Sequence, residues 1–138
     1  MGGDMEQSKK ATIIIIEDEQ VFRLIYRGVL QNAGYNVLEA GDGLTGWNMI
    51  KEHKPDLVLL DLILPKMSGH EVLHHIRTDP STKDIPVIIF SVMGQEKDIE
   101  RSLSLGANEH KLKGMESPQK ILNLIQQILQ KKDIQKEL

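Results

Sequence analysis

Residues 56–69 read DLVLLDLILPKMSG. The run from Leu57 to Leu64 is apolar except at its centre, where Asp61 interrupts it. Burying an ionised carboxylate costs several kcal/mol unless something compensates it. The four residues before Asp61 lack the alternation of a strand with one wet face, and Asp56–Leu60 suits a strand covered on both faces. Thr12–Ile16 (TIIII) and Pro86–Phe90 (PVIIF) have the same character. Tyr35–Glu39 (YNVLE) and Asn108–Leu112 (NEHKL) are weaker runs of similar length.

Helix-length stretches with apolar residues at helical spacing separate these runs. Gln20–Ala33 carries Val21, Leu24, Ile25 and Leu30 and stops at Gly34. Gly43–Lys51 carries Leu44, Trp47 and Ile50. Ser68–Arg77 opens with Ser68 and Glu71 at capping-box spacing. Gln95–Leu105 is followed by Gly106, and Ser117–Lys132 opens with a Ser-Pro start and carries Ile121, Leu124, Ile125, Ile128 and Leu129. Five strand-helix pairs predict an α/β chain, a doubly wound parallel sheet with right-handed crossovers.

In such a sheet the site lies outside the carboxyl ends of the strands. The first dense run is followed by Glu17 and Asp18, the third by Asp61, the fourth by Ser91 and the fifth by Lys113. Parallel strands deliver all five groups to one edge. Three carboxylates together repel one another unless a cation holds them, and Mg²⁺ suits one or two carboxylates with waters and phosphate oxygens. A carboxylate can also take up a phosphoryl group as a nucleophile. An ammonium and a hydroxyl nearby would neutralise and bind its oxygens.

At this point the sequence resembles the receiver domain of two-component response regulators, of the chemotaxis-regulator type. The likeness rests on IIIIEDE, LVLLDLILPKMSG, IIFS and GANEHKLKG and runs from Ala11 to about Lys132. It implies a flavodoxin-like five-stranded sheet in the order 2-1-3-4-5 with five helices. It implies Asp61 as phosphoacceptor, Ser91 as switch hydroxyl and Lys113 as phosphate contact. Glu17, Asp18, Asp61 and the backbone carbonyl of Ile63 would hold Mg²⁺. The implied partners are a sensor histidine kinase or phosphotransfer protein and a downstream effector or fused output domain. The face of the fourth helix, fifth strand and fifth helix would rearrange. The sequence departs from the family pattern at Gly114, where proline usually follows the lysine, at His110, where an aromatic switch residue is common, and at Val92, where a small residue is usual. Ile63 and Met93 are apolar, cannot orient an attacking water, and imply slow loss of the phosphoryl group.

Two other functions compete. A degenerate receiver would act as a phosphorylation-independent docking module. A haloacid-dehalogenase-type phosphatase also uses an aspartate nucleophile, but it needs a second acid where Ile63 stands. The expectation is a switch rather than an enzyme that turns over substrate.

Composition narrows the setting. The chain has 138 residues, no cysteine and a formal net charge of −3. That excludes disulfides and thiolate metal sites and gives no basic stripe for direct nucleic-acid binding. No apolar run spans a membrane. The expectation is a cytoplasmic chain with a disordered tail at 1–10, one domain over 11–132 and a helix extension or linker at 133–138. The apolar stripe of the last helix could serve a homodimer. His70 and His74, four apart, read as exposed helix histidines rather than a metal site, His75 as a surface position, and Trp47 as packing.

Overall fold

The computed structural model describes residues 10–137. Most of the expected tail, and Leu138, lie outside them. In chain order the elements are β1 (Thr12–Ile16), α1 (Gln20–Asn32), β2 (Asn36–Ala40), α2 (Gly43–His53), β3 (Leu57–Leu60), α3 (Gly69–Thr78), β4 (Val87–Ser91), α4 (Glu96–Ser104), β5 (Glu109–Leu112) and α5 (Pro118–Glu137). The strands form one parallel sheet in the order β2-β1-β3-β4-β5. This is the doubly wound parallel sheet that the alternation predicted, in the flavodoxin-like order and with the five helices that the resemblance implied.

Successive side chains on a strand point to opposite faces, and here both faces are apolar. Ile14, Ile16, Val58, Leu60, Val87 and Ile89 pack with Trp47, Ile50, Val72, Leu73 and Ile76 of α2 and α3. Ile13, Ile15, Leu57, Leu59, Ile88 and Phe90 pack with Tyr26 and Leu30 of α1 and Ile121, Ile125 and Leu129 of α5. Trp47 is core, as expected, and its ring stacks on His75.

The end of β4 differs informatively from the expectation. Ser91 is the last residue of β4 rather than the first beyond it, because it still pairs with Leu112 of β5. α5 continues through Glu137, so 133–137 is the helix extension rather than a linker. Among the described residues no helix is long and apolar enough to cross a membrane. The capping box on α3 is present: Glu71 N–H donates to Ser68 Oγ at 3.2 Å and Ser68 N–H to Glu71 Oε1 at 3.2 Å.

Gly69 shows how the turn after β3 is set. A Cβ there would stand 2.2 Å from the Asp61 carbonyl oxygen and 2.6 Å from Leu62 Cα. The backbone that carries Asp61 is therefore folded directly against the start of α3. Gly69→Ala is expected to lower stability by about 1–3 kcal/mol through overpacking. Gly28→Ala, at an exposed position of α1 with nothing within 4 Å of the new methyl, should raise it by about 0.5–1 kcal/mol. Urea unfolding of both variants checks the pair, and equal effects would contradict this account of Gly69.

Candidate functional site

The strand ends converge as the topology requires. Glu17 N–H donates to the Ala40 carbonyl, Asp61 N–H to that of Ile16, and Lys113 N–H to that of Ser91, each at 3.0 Å. Backbone bonds between neighbouring strands thus fix three of the functional positions before any side chain is considered. Glu17, Asp18 and Asp61 each place a carboxylate oxygen within 4.8 Å of the others. Glu17 and Asp61 are buried and Asp18 is exposed.

Lys113 lies in the middle of these acids. Its ammonium donates to Asp61 Oδ2 at 2.9 Å, to Glu19 Oε1 at 3.1 Å, and also pairs with Glu17 Oε1. The Phe22 ring lies 4.7 Å from its Nζ, a cation–π contact. The Lys113 side chain is only 4% exposed, so its charge is compensated almost wholly by the protein. Burial works against that charge, but the carboxylates of Glu17 and Asp61 outweigh it and raise the ammonium above its ordinary value. Burial pushes the Glu17 carboxyl up to about 7, against the pull of Lys113 and the Glu19 N–H and with the Asp61 charge adding to the rise. Burial is the larger cause, and one ammonium between two buried carboxylates adds to the tendency of Glu17 toward its protonated form.

The second half of the arrangement is scaffolding. Arg23 of α1 donates to the Glu17 carbonyl at 2.6 Å and pairs with Glu39 on β2, which Arg27 also holds. Ile63 N–H donates to Asp61 Oδ1 at 3.3 Å, and the Ile63 side chain is exposed. Ser91 is fully buried, and its Oγ accepts from Met93 N–H at 3.2 Å. Val92 is exposed beside it. Gly114 follows Lys113 with φ +84°.

The structure brings Glu17, Asp18, Asp61 and Lys113 together and sets Ser91 on the same edge. His110 points elsewhere: its ring contacts Ser102 and the Met93 carbonyl. Glu19, Phe22 and Arg23 were not singled out in the sequence. Glu19 was visible as the third acid of Glu17–Glu19, but its pairing with a lysine 94 residues away was not. Nothing marked Phe22 beyond an apolar place on α1. The exposed reading of His70 and of His75 is corrected. His70 is half-buried, with Nε2 3.1 Å from Ser102 Oγ, and His75 is half-buried against Trp47. His74 is exposed, and among the described residues neither His70 nor His74 belongs to a metal-ligating cluster.

Comparison with known proteins places the chain in a family. The profile of the response regulator receiver domain matches residues 13–126. The chain belongs to that family. It is 34% identical over 119 residues to the phosphate regulon transcriptional regulatory protein PhoB of Escherichia coli K12, covering 86% of this chain and 52% of that protein. The chain thus spans about half the length of the curated relatives it matches. The structure of the phosphorylated cyanobacterial phytochrome response regulator RcpA superposes with a TM-score of 0.76 at 29% identity, over 87% of this chain and 91% of that one. The receiver domain of sensor histidine kinase PA1611 from Pseudomonas aeruginosa PAO1, a structure with magnesium in its active site cleft, superposes with a TM-score of 0.80. Its identity is 22%, over 88% of this chain and 98% of that one.

The raised Glu17 carboxyl has a consequence for stability. A group whose folded pKa lies above its unfolded value contributes stability at low pH and loses it as pH rises. In metal-free buffer, wild type should therefore lose ground against Glu17→Gln between about pH 4.5 and about pH 7. The difference is of order 2 kcal/mol. Urea unfolding of both chains at pH 5 and pH 8 checks it, and a gap that stays constant across that range would refute it.

Proposed function

We propose that this receiver domain is a phosphorylation-driven switch in which Asp61 takes its phosphoryl group from the phosphohistidine of a sensor histidine kinase or phosphotransfer protein. The observation that carries the reading is the Asp61 carboxylate at the mouth of β3, buried, bonded to the Lys113 ammonium at 2.9 Å and clustered with Glu17 and Asp18. An Asp61 carboxylate oxygen attacks phosphorus, the phosphorus–nitrogen bond of the donor breaks, and its electron pair leaves on the imidazole nitrogen. The product is an acyl phosphate on Asp61. Lys113 already touches the acceptor and supplies a positive charge for the incoming oxygens. Ser91, on the neighbouring strand end, supplies a hydroxyl that can turn from Met93 N–H toward them.

The donor set fits Mg²⁺. It consists of carboxylate oxygens within one cluster, and a cationic group, the Lys113 ammonium, is already drawn between Glu17 and Asp61. Asp18 and Asp61, with Glu17 mainly through water and the Ile63 carbonyl, would hold the ion. Bound there, Mg²⁺ would neutralise charge on the transferred phosphoryl group. We read the chain as a signalling element rather than a turnover enzyme, working in the cytoplasm where a kinase can reach it. A phosphoryl group adds charge and acceptor oxygens, and a population shift of the α4-β5-α5 face carries the signal to an effector or a linked output domain.

Incubation with Mg²⁺ and acetyl phosphate should add one phosphoryl group by intact mass. Chelator should abolish the gain, and Asp61→Asn should show none. An equal gain in Asp61→Asn would move the acceptor elsewhere. No gain in wild type, even from a cognate kinase, would remove the switch reading. The apolar side chains of Ile63 and Met93, exposed two residues beyond Asp61 and Ser91, should slow hydrolysis. Ile63→Asn should shorten the lifetime of the phosphorylated chain several-fold, followed by mass after removal of the donor, and an unchanged lifetime would show that position 63 does not guard the site.

A further inference from the structure

α4 is attached to the fold differently from its neighbours. α1, α2 and α3 each bury large apolar or aromatic side chains, whereas the one buried residue of α4 is Ser102. Ser102 has no exposed surface, and its hydroxyl lies between two imidazoles. His110 Nδ1 of β5 is 2.9 Å away and His70 Nε2 of α3 is 3.1 Å away. The second nitrogen of His110, Nε2, lies 2.6 Å from the Met93 carbonyl oxygen.

The chemistry of these groups fixes their protons. A carbonyl only accepts, so His110 Nε2 carries the hydrogen and donates to Met93. The Nδ1 of a neutral His110 is then an acceptor and takes the Ser102 hydroxyl proton. Ser102 Oγ in turn accepts from His70 Nε2–H. This arrangement pairs Ser102 Oγ, His70 Nε2 and both nitrogens of His110, and it requires a neutral His110, whose Nδ1 is the acceptor; a charged His70 would still donate from Nε2. Protonated at both nitrogens, His110 would aim a second donor at the Ser102 oxygen, and the Ser102 hydroxyl proton would lose its acceptor.

The far end of the relay reaches the phosphoacceptor edge. Met93 N–H donates to Ser91 Oγ while the Met93 carbonyl accepts from His110. The next residue, Gly94, lies flat on β5, where a Cβ would stand 1.8 Å from Leu112 Cδ2. The connection from β4 to α4 is thus tied to Ser91 on one side and to the imidazole relay on the other. We propose that His70, Ser102 and His110 form a proton-linked latch that pins the β4-α4 connection and α4 in one position and releases both when His110 takes up a proton at Nδ1. The link to signalling rests on the function proposed above: a Ser91 hydroxyl that turns to a phosphoryl group frees Met93 from one side, and protonation frees it from the other.

The surroundings support the direction. Burial holds His70 below the ordinary histidine range, the charges of Arg101 and His110 add to the shift, and Asp98 opposes it. Glu71, His74, His75 and Arg101 line the same groove as His70. Glu109 and Lys111 flank His110 on β5 and pair with each other at 3.8 Å. β4 and residues 92–95 contribute no ionisable side chain. A His70 held neutral adds no charge beside His110, whose Nδ1 must be free of a proton to accept, so the latch is held at higher pH and lost as pH falls.

The test uses the unphosphorylated full chain, with imidazole nitrogen NMR and amide hydrogen exchange from pH 8 to pH 5. At pH 8 His110 should be a single Nε2–H tautomer, and His70 should titrate below the ordinary histidine range. Protection of the amides at 93–98, corrected for intrinsic exchange, should fall about tenfold across the titration, the worth of one hydrogen bond. In Ser102→Ala the protection should already be lost at pH 8 and should not fall further across the range. Mixed tautomers of His110 in wild type, or a Ser102→Ala chain whose protection matches that of wild type, would overturn the latch. None of these readings uses phosphate. A chain that fails to accept a phosphoryl group would remove the proposed function and leave the latch standing, and a chain that accepts it but lacks these signatures would remove the latch alone.

Discussion

Both faces of the parallel sheet are buried, and the rest of the structure follows from that constraint. β1, β3 and β4 present apolar side chains to α1 and α5 on one face and to α2 and α3 on the other. Within these strands an ionised group would have to leave water without a partner. Polar chemistry is therefore confined to the strand ends, and parallel running puts the productive ends on one edge. Ladder bonds then hold Glu17, Asp61 and Lys113 in register to within the spacing of adjacent strands. The site is a by-product of the way the core is closed.

Gathering acids at that edge is unfavourable for folding and necessary for the proposed chemistry. Lys113 reconciles the two. Its ammonium reaches Glu17, Glu19 and Asp61 together, backed by the Phe22 ring, and so occupies the region of highest negative potential. A divalent cation held by Glu17, Asp18 and Asp61 would compete with the ammonium for some of these oxygens. Glu19 lies outside the three-acid cluster and is exposed, so it would remain a partner for Lys113 if a cation took up oxygens of Glu17 and Asp61. The lysine then stays beside the acceptor without returning to water.

Much of this was legible in the sequence, because dense apolar runs followed at once by polar residues are visible in one dimension. The runs TIIII and LVLL and the residues after them sit as read. Ser91 was placed one residue outside its strand, since its pairing with Leu112 depends on β5, the weakest run in the chain. His70 was misread for a related reason. Its helix viewed alone shows a polar residue beside the cap, and only the packing of α4 across it supplies Ser102. Gly69 and Gly94 could be seen as glycines, but their reason is contact with the Asp61 backbone and with the Leu112 side chain. What the sequence concealed were contacts between residues distant in the chain and unremarkable one by one.

The contrast between the helices bears on what a switch needs. Apolar packing is non-directional and roughly proportional to area, so a helix held by it yields little to a small local change. A hydrogen bond depends steeply on angle and on which partner carries the proton. α4 buries no large apolar side chain of its own and is joined to α3 and β5 through Ser102. Turning one hydroxyl or adding one proton can therefore loosen the bonded part of its attachment while the sheet and the other helices keep theirs. A stable core with one helix attached by directional bonds lets a local event at the strand edge become a change of surface without unfolding the domain.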